Sequence, residues 1–104
     1  MTTVIQEPIL PVVLRVWRDD PDDVFALFPT DPADIDGRCC GCYQHVGQHS
    51  SADYGHCIAS SRPATNEEAA PLLEELQQIG YDLRVIRRAN YRHHDERRRA
   101  ARAC

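Results

Sequence analysis

Hydrophobic and polar positions along the chain predict four strands, one helix and a final strand. Two β-branched and aromatic runs, VVLRVW (12–17) and VFALF (24–28), flank the segment RDDPDD, whose proline and four aspartates favour a turn. We therefore expect a β-hairpin there. After the loop ADIDGR (33–38), further strands are predicted near CYQHV (42–46) and GHCIASS (55–61).

The clearest pattern is that of an amphipathic helix over residues 66–79. Thr65 and Glu68 fit a capping box, and Gly80 fits the glycine that ends a helix. Apolar residues recur at helical spacing, namely Ala69, Leu72, Leu73, Leu76 and Ile79. Pro71 is discordant because proline removes a backbone hydrogen bond, so either the first turn is distorted or the helix begins nearer Glu68. One face of this helix should pack on the sheet.

The last part of the chain completes the predicted fold. Tyr81, Leu83 and Val85 alternate with polar residues, as in a strand with one buried face. The segment ANYRHHDERRRAARAC lacks a long apolar stripe, so a frayed helix or disorder is expected. The fold class is α+β, a small antiparallel or mixed β-sheet in the order ββββαβ with one amphipathic helix packed on a face and a basic C-terminal tail. Residues 1–88 would form a single domain and residues 89–104 the tail.

Charge is unevenly distributed along these 104 residues. Residues 1–83 contain four arginines and fourteen acidic residues, whereas residues 84–104 contain eight arginines and two acidic residues. Such asymmetry favours interaction of the tail with nucleic acid or an acidic partner, or a solvated end that aids solubility. The N-terminal residues lack the pattern of a signal peptide, and no run approaches the roughly 20 apolar residues of a membrane span. We expect a soluble cytoplasmic protein without a membrane partner.

Thiols and imidazoles crowd around the segment CYQHVGQHSSADYGHC (42–57). Seven donors suited to zinc lie within nineteen residues, namely Cys39, Cys40, Cys42, His45, His49, His56 and Cys57. Their spacing does not form the two separated pairs of common structural sites, and a strand over residues 42–46 would send Cys42 and His45 to opposite faces. We therefore expect no bound metal and no other cofactor, with buried cysteines and hydrogen-bonded histidines instead.

The same segment offers groups for catalysis or for recognition. Asp53 with His49 or His56 could form an acid/base pair, but no motif marks an activated nucleophile, so a non-enzymatic protein is expected. A small nucleotide-binding protein or hydrolase using the histidine, tyrosine and aspartate residues of 43–57 is an alternative. The middle of the segment should be a surface loop between strands. The predicted binding residues are Gln44, His45, Gln48, His49, Ser50, Asp53 and Tyr54.

The arginine-rich tail supports a second alternative, a regulatory module that binds nucleic acid. The arginines proposed to neutralise phosphates are Arg87, Arg88, Arg92, Arg97, Arg98 and Arg99, and Tyr91 could stack on a base. The acidic body would repel a polyanion, however. It suits docking on a basic surface of another protein, in the manner of a nucleic-acid mimic.

Four segments resemble a pattern found in small uncharacterised proteins carried by phages and plasmids. They are ALFP (26–29), YQHVGQHSSADY (43–54), RPAT (62–65) and EELQQIGYDLRVIRR (74–88). No activity is established for that group, so it assigns no residue a role. The resemblance implies an accessory protein of a mobile element, such as an anti-CRISPR-like inhibitor of a host defence system. It would act by binding a host protein or a protein–nucleic-acid complex. An exposed sheet edge would also allow a homodimer.

Overall fold

The chain forms a small α+β domain built on one β-sheet, which confirms the predicted class. The computed structural model describes residues 9–44 and 48–102. The strands there are β1 (Leu10–Trp17), β2 (Asp20–Pro32), β3 (Cys39–Gln44), β4 (Gln48–Asp53), β5 (Ser61–Pro63) and β6 (Leu83–Ile86). The helices are α1 (Tyr54–Ala59), α2 (Asn66–Ile79) and α3 (Tyr91–Arg102). None of these helices is long and apolar enough to cross a membrane.

The sheet has β4 at one edge and a shared edge formed by β5 and β6. Among the described residues the strand order is β4-β3-β2-β1, and both β5 and β6 pair with the far side of β1. All neighbours are antiparallel except β6, which runs parallel to β1 with Val13 opposite Ile86. β5 pairs with the end of β1, where Arg15 lies opposite Pro63. The predicted hairpin of β1 and β2 is present.

The two central strands are buried on both faces of the sheet. Because side chains alternate along a strand, β1 and β2 contribute to two separate cores. The first core lies under α2 and contains Val12, Leu14, Ala26, Phe28, Tyr43, Ala69, Leu72 and Leu76. The second core, on the opposite face, contains Val13, Phe25, Leu27, Cys40, Cys42, Tyr54, Cys57 and Ala89. Long apolar runs in β1 and β2 thus reflect burial on both faces.

Helix α2 matches the sequence prediction closely. The Thr65 hydroxyl accepts the Glu68 backbone N–H at 3.2 Å, and the Glu68 carboxylate accepts the Thr65 N–H at 2.9 Å. The capping box is therefore confirmed. Gly80 ends the helix in the left-handed conformation. Pro71 lies inside the helix at an exposed position, and the helix begins at Asn66, so the alternative of a start nearer Glu68 was wrong.

The strand predicted at residues 55–61 was wrong, because α1 and β5 occupy that segment. The Asp53 carboxylate caps α1 by accepting the His56 backbone N–H at 3.1 Å. The strand in this region is β4, which ends at Asp53 and pairs with β3. The order of elements is therefore ββββαβαβα rather than ββββαβ.

The alternating segment after α2 is a strand, but its burial differs from the prediction. Tyr81 and Leu83 are partly buried against the first core. Val85 is 53% exposed, while Ile86 packs against the second core. The prediction that Val85 shares one buried face with Tyr81 and Leu83 was therefore wrong. β6 lies at the edge of the sheet, where the helices cover it incompletely.

The arginine-rich end of the chain differs from the expected frayed or disordered tail. Residues 91–102 form α3, which packs against β2 on the side of the second core. The Asn90 side chain begins the helix by accepting the backbone N–H groups of Arg92 and His93. This helix needs no long apolar stripe because a buried arginine, Arg97, attaches it to the domain. The Arg97 guanidinium donates to the carbonyls of Pro29 and Gly37.

Replacing Leu76 should test the packing of α2. Leu76 is fully buried, so Leu76→Ala should lower the free energy of unfolding by about 2–5 kcal/mol through loss of burial and cavity formation. Ile79 belongs to the same helix but is 51% exposed, so Ile79→Ala should change stability by only about 0.5 kcal/mol. Denaturant unfolding measures both values. Equal losses would contradict the assigned face.

Lowering the pH should weaken the ion pair between Glu68 of α2 and Arg62 of β5. Hydrogen bonding to Arg62 and to the Thr65 backbone lowers the pKa of Glu68 from 4.5 to about 2. A carboxylate with a depressed folded-state pKa stabilises the fold above its unfolded-state pKa and loses this effect as pH falls. Glu68→Gln should therefore destabilise near neutral pH, and its difference from the native chain should vanish between pH 4.5 and about 2.

Unfolding midpoints measured across this pH range test the prediction. Glu67→Gln is the matched control because Glu67 is an exposed acid in the same turn. A difference between the native chain and Glu68→Gln that persists to the lowest pH would contradict the linkage.

Candidate binding site

Within the described residues, the predicted recognition segment comprises the end of β3, all of β4 and the start of α1. Residues 48–53 therefore form a strand and not the predicted surface loop. Gln44 lies opposite Gln48, and Tyr43 lies opposite His49, in the antiparallel pairing of β3 with β4. Ser50 is exposed farther along β4. The predicted binding residue His45 lies outside the described residues.

His49 is an exposed residue of β4 whose imidazole has two tyrosine neighbours. Its ring meets the Tyr43 ring edge to face, with 4.7 Å between centroids. Its Nε2 atom lies 2.9 Å from the Tyr81 hydroxyl, within hydrogen-bond distance. The Tyr81 ring stacks on Phe28 at 5.4 Å. The imidazole is thus oriented by two tyrosines from different elements.

Tyr43 and Glu75 connect this site to α2. Tyr43 is completely buried in the first core, and its hydroxyl donates a hydrogen bond to the Glu75 carboxylate. A buried tyrosine hydroxyl needs such a partner, and a charged acceptor strengthens the bond. The side chain that supports His49 therefore cannot rotate freely.

Asp31 adds a carboxylate beside His49. Its carboxylate lies directly over Gly41, so a Cβ atom at position 41 would displace the Asp31 side chain from this place. Although the residue as a whole is exposed, partial burial of the carboxyl raises its pKa, and the charge of His49 acts in the opposite direction. We call Asp31, Tyr43, His49, Glu75 and Tyr81 the His49 patch.

Of the predicted binding residues, only His49 belongs to the His49 patch, and Tyr43 was considered only in the alternative that uses residues 43–57 for nucleotide binding or hydrolysis. Tyr43 and His49 lie in the quoted segment, whereas Asp31, Glu75 and Tyr81 come from β2, α2 and the residues after it. Only the tertiary fold brings these elements together. The glycine of CCGCY is the one local sign that another group approaches β3 closely.

Two predicted binding residues have structural roles instead. Asp53 caps α1, as described above. Tyr54 is buried in the second core, where its hydroxyl accepts a hydrogen bond from the Ala89 backbone N–H at 2.8 Å. Its ring packs edge to face on the His94 ring, with 4.8 Å between the ring centroids. Tyr54 therefore holds the chain that leads into α3 and is not available at the surface.

The cysteines of this region are buried thiols. Cys40, Cys42 and Cys57 lie in the second core, and burial raises the pKa of Cys40 to about 12 and that of Cys57 to about 11. The thiolate needed for nucleophilic or metal chemistry is therefore disfavoured. Within residues 9–44 and 48–102, no three histidine, cysteine or acidic side chains stand close enough to hold a metal ion.

The arginines predicted to bind nucleic acid differ in their availability. Arg97 is buried and bonded to two carbonyls, so it cannot contact phosphate. Arg99 is exposed but forms an ion pair with Asp95 at 2.7 Å. Arg92 is exposed beside the Tyr91 ring, and Arg98 is exposed on the same helix. Arg87 and Arg88 are exposed between β6 and α3.

Comparison of the chain with protein-family models, curated proteins and solved structures gave no match. The resemblance to phage and plasmid proteins therefore has only its sequence motifs as support.

Replacing Arg97 should separate its structural role from a role in ligand binding. Arg97→Ala leaves the buried carbonyls of Pro29 and Gly37 without their donor, so it should lower the free energy of unfolding by about 2–3 kcal/mol. Arg99→Ala, which removes an exposed ion pair, should cost less than about 1 kcal/mol. Denaturant unfolding of both variants is the measurement. Equal midpoints would show that α3 is not held by Arg97.

Proposed function

We propose that this chain is a non-enzymatic binding protein that recognises a protein partner through the His49 patch. The observation that carries the proposal is the exposed His49 imidazole on an edge strand, oriented by the Tyr43 ring and by the Tyr81 hydroxyl at 2.9 Å. A group that is already oriented loses little conformational freedom on binding, which favours affinity. Tyrosine also supplies apolar area and a polar atom together, as interfaces commonly require.

The charge of the chain indicates what kind of partner surface fits. Residues 1–83 have ten more acidic than basic residues, and the His49 patch itself includes Asp31 and Glu75. A basic protein surface would therefore be attracted, including one that ordinarily holds nucleic acid. Together with the resemblance to mobile-element proteins, this supports an accessory inhibitor of a host defence system, anti-CRISPR-like in action and cytoplasmic.

The backbone of β4 adds a second means of contact. β4 pairs with β3 on one side and forms the edge of the sheet on the other. A strand edge offers backbone donors and acceptors to an incoming strand, and exposed His49 and Ser50 lie along it. The same edge could accept a second copy of the chain, so the oligomeric state has to be measured with any binding experiment.

The nucleotide-binding or hydrolase alternative has weaker support. It required the histidines, tyrosines and aspartate of residues 43–57 to act together. Asp53 is engaged at the start of α1, and Tyr54 is buried against Ala89 and His94. These contacts take two of the proposed groups away from His49.

A paired set of variants tests the proposed function. His49→Ala with Tyr81→Phe removes the imidazole and the hydroxyl but keeps the ring that stacks on Phe28. His56→Ala with Tyr91→Phe changes the same residue types at exposed positions outside the patch. Each protein is immobilised and used to capture partners from host extract, and sedimentation reports its oligomeric state.

A partner captured by the native chain and the control, but depleted about tenfold with the His49 variant, would support the proposal. Equal melting temperatures would exclude unfolding as the cause. Capture that is unchanged by the His49 variant would overturn the patch as the binding site. Self-association that depends on His49, without another captured protein, would assign the edge to a homodimer instead.

A further inference from the structure

Four arginines from three segments of the chain meet near the shared edge formed by β5 and β6. Arg15 and Arg18 come from β1 and the turn that follows it, while Arg87 and Arg88 follow β6. β6 ends at Ile86, opposite Val13, and β5 follows along the same edge of β1, with Pro63 opposite Arg15. Arg87 lines a surface groove with Leu14 and Pro63. We call Arg15, Arg18, Arg87 and Arg88 the arginine cluster.

Arg15 forms the fixed base of the arginine cluster. It is only 6% exposed, and its Nε atom donates to the Ser61 hydroxyl at 2.9 Å. Its Nη2 atom donates to the carbonyls of Ser61 and Ile58 at 2.8 and 3.1 Å. These acceptors are neutral, and within the described part of the chain no carboxylate pairs with Arg15. Among the residues that the structure describes, its positive charge is therefore not balanced by an ion pair.

Arg18 is held beside Arg15 by a shared acceptor. Its Nε atom donates to the same Ser61 carbonyl at 3.1 Å. This bond orients the guanidinium while its two terminal nitrogens are free of hydrogen bonds to the described residues. Asp19 follows in the hairpin turn, and Asp20 and Asp23 lie in β2. These three aspartates line a surface groove with Arg18, so part of its charge is offset locally.

Arg87 and Arg88 add exposed positive charge after the end of β6. Both are exposed, and neither forms an ion pair with a described residue. Burial lowers the pKa of Arg15, Tyr54 opposes this effect, and the charges of Arg18, Arg88 and Arg87 lower it further. The three arginines therefore lie within electrostatic reach of Arg15. Like charges held together in this way repel one another, and an anion relieves that repulsion.

We propose that the arginine cluster is a binding site for phosphate groups. The planar guanidinium matches phosphate oxygens in a two-point hydrogen bond and is more weakly hydrated than an ammonium group. Arg15 supplies fixed positive charge, Arg18 supplies oriented donors, and Arg87 with Arg88 supplies exposed donors. The site is distinct from the His49 patch and does not depend on the proposed protein partner.

The source of the phosphate is either a nucleic-acid backbone or a free nucleotide, and two probes distinguish them. Binding of a fluorescent single-stranded oligonucleotide is measured by anisotropy over a series of salt concentrations. Binding of ATP and of pyrophosphate is measured by calorimetry. A polyglutamate peptide of matched charge serves as the non-phosphate anion.

The diagnostic variant is Arg87→Gln with Arg88→Gln, which leaves the bonds of Arg15 and Arg18 intact. Arg92→Gln with Arg102→Gln removes the same charge from exposed positions on α3 and is the matched control. The native chain and the control should bind a phosphate probe, and the diagnostic variant should bind it at least about tenfold more weakly. For the oligonucleotide, loss of two contacts should reduce the salt slope by about 1.4.

Each remaining outcome has a defined meaning. Binding of the oligonucleotide alone would assign the site to a nucleic-acid backbone, and binding of ATP and pyrophosphate would assign it to free phosphates. No binding of either probe by the native chain would overturn the proposal. An equal loss of affinity for the phosphate probe in the diagnostic and control variants would also overturn it. So would binding of polyglutamate as tight as that of the phosphate probes, because either result would be explained by overall charge alone.

Discussion

Burial of both faces of β2 is the constraint on which the rest of the structure depends. Its residues Phe25–Pro29 are all buried, with successive side chains entering opposite cores. Such a strand needs a covering layer on each side. α2 supplies the first layer with an apolar face, whereas α1 and α3 lie with the second core. α3 is held through Arg97, whose hydrogen bonds to Pro29 and Gly37 replace part of the missing apolar contact.

The elements predicted correctly from the sequence are those whose evidence is local. The capping box, the apolar spacing of α2 and Gly80 lie within one segment, and the hairpin of β1 and β2 is indicated by two neighbouring apolar runs. Its turn is shorter than predicted, because Pro21 and the aspartates from Asp20 onward belong to β2. The errors concern segments whose conformation depends on distant contacts. α1 follows a single capping aspartate, and α3 depends on carbonyls about sixty residues away in the chain, so neither produces a strong local pattern.

The candidate site was predictable only in part for the same reason. His49 stood out because it lies in a segment dense in polar and aromatic residues, but its partner Tyr81 is thirty-two residues away. Tyr54 resembles a surface residue in sequence, yet the Ala89 backbone binds its hydroxyl in the second core. The sequence shows which functional groups the chain contains, whereas the tertiary structure determines which of them are in contact. Arg15 illustrates the point, since nothing in VVLRVW distinguishes a buried arginine from an exposed one.

The two proposed sites lie at opposite edges of one sheet, and this separation limits what the protein can bind. The His49 patch adjoins β4, while the arginine cluster adjoins the edge formed by β5 and β6. Four strand spacings separate these edges, roughly 19 Å at the usual spacing of about 4.8 Å. A nucleotide is too short to contact both. A complex of protein and nucleic acid, by contrast, can present a basic protein surface to one edge and phosphates to the other.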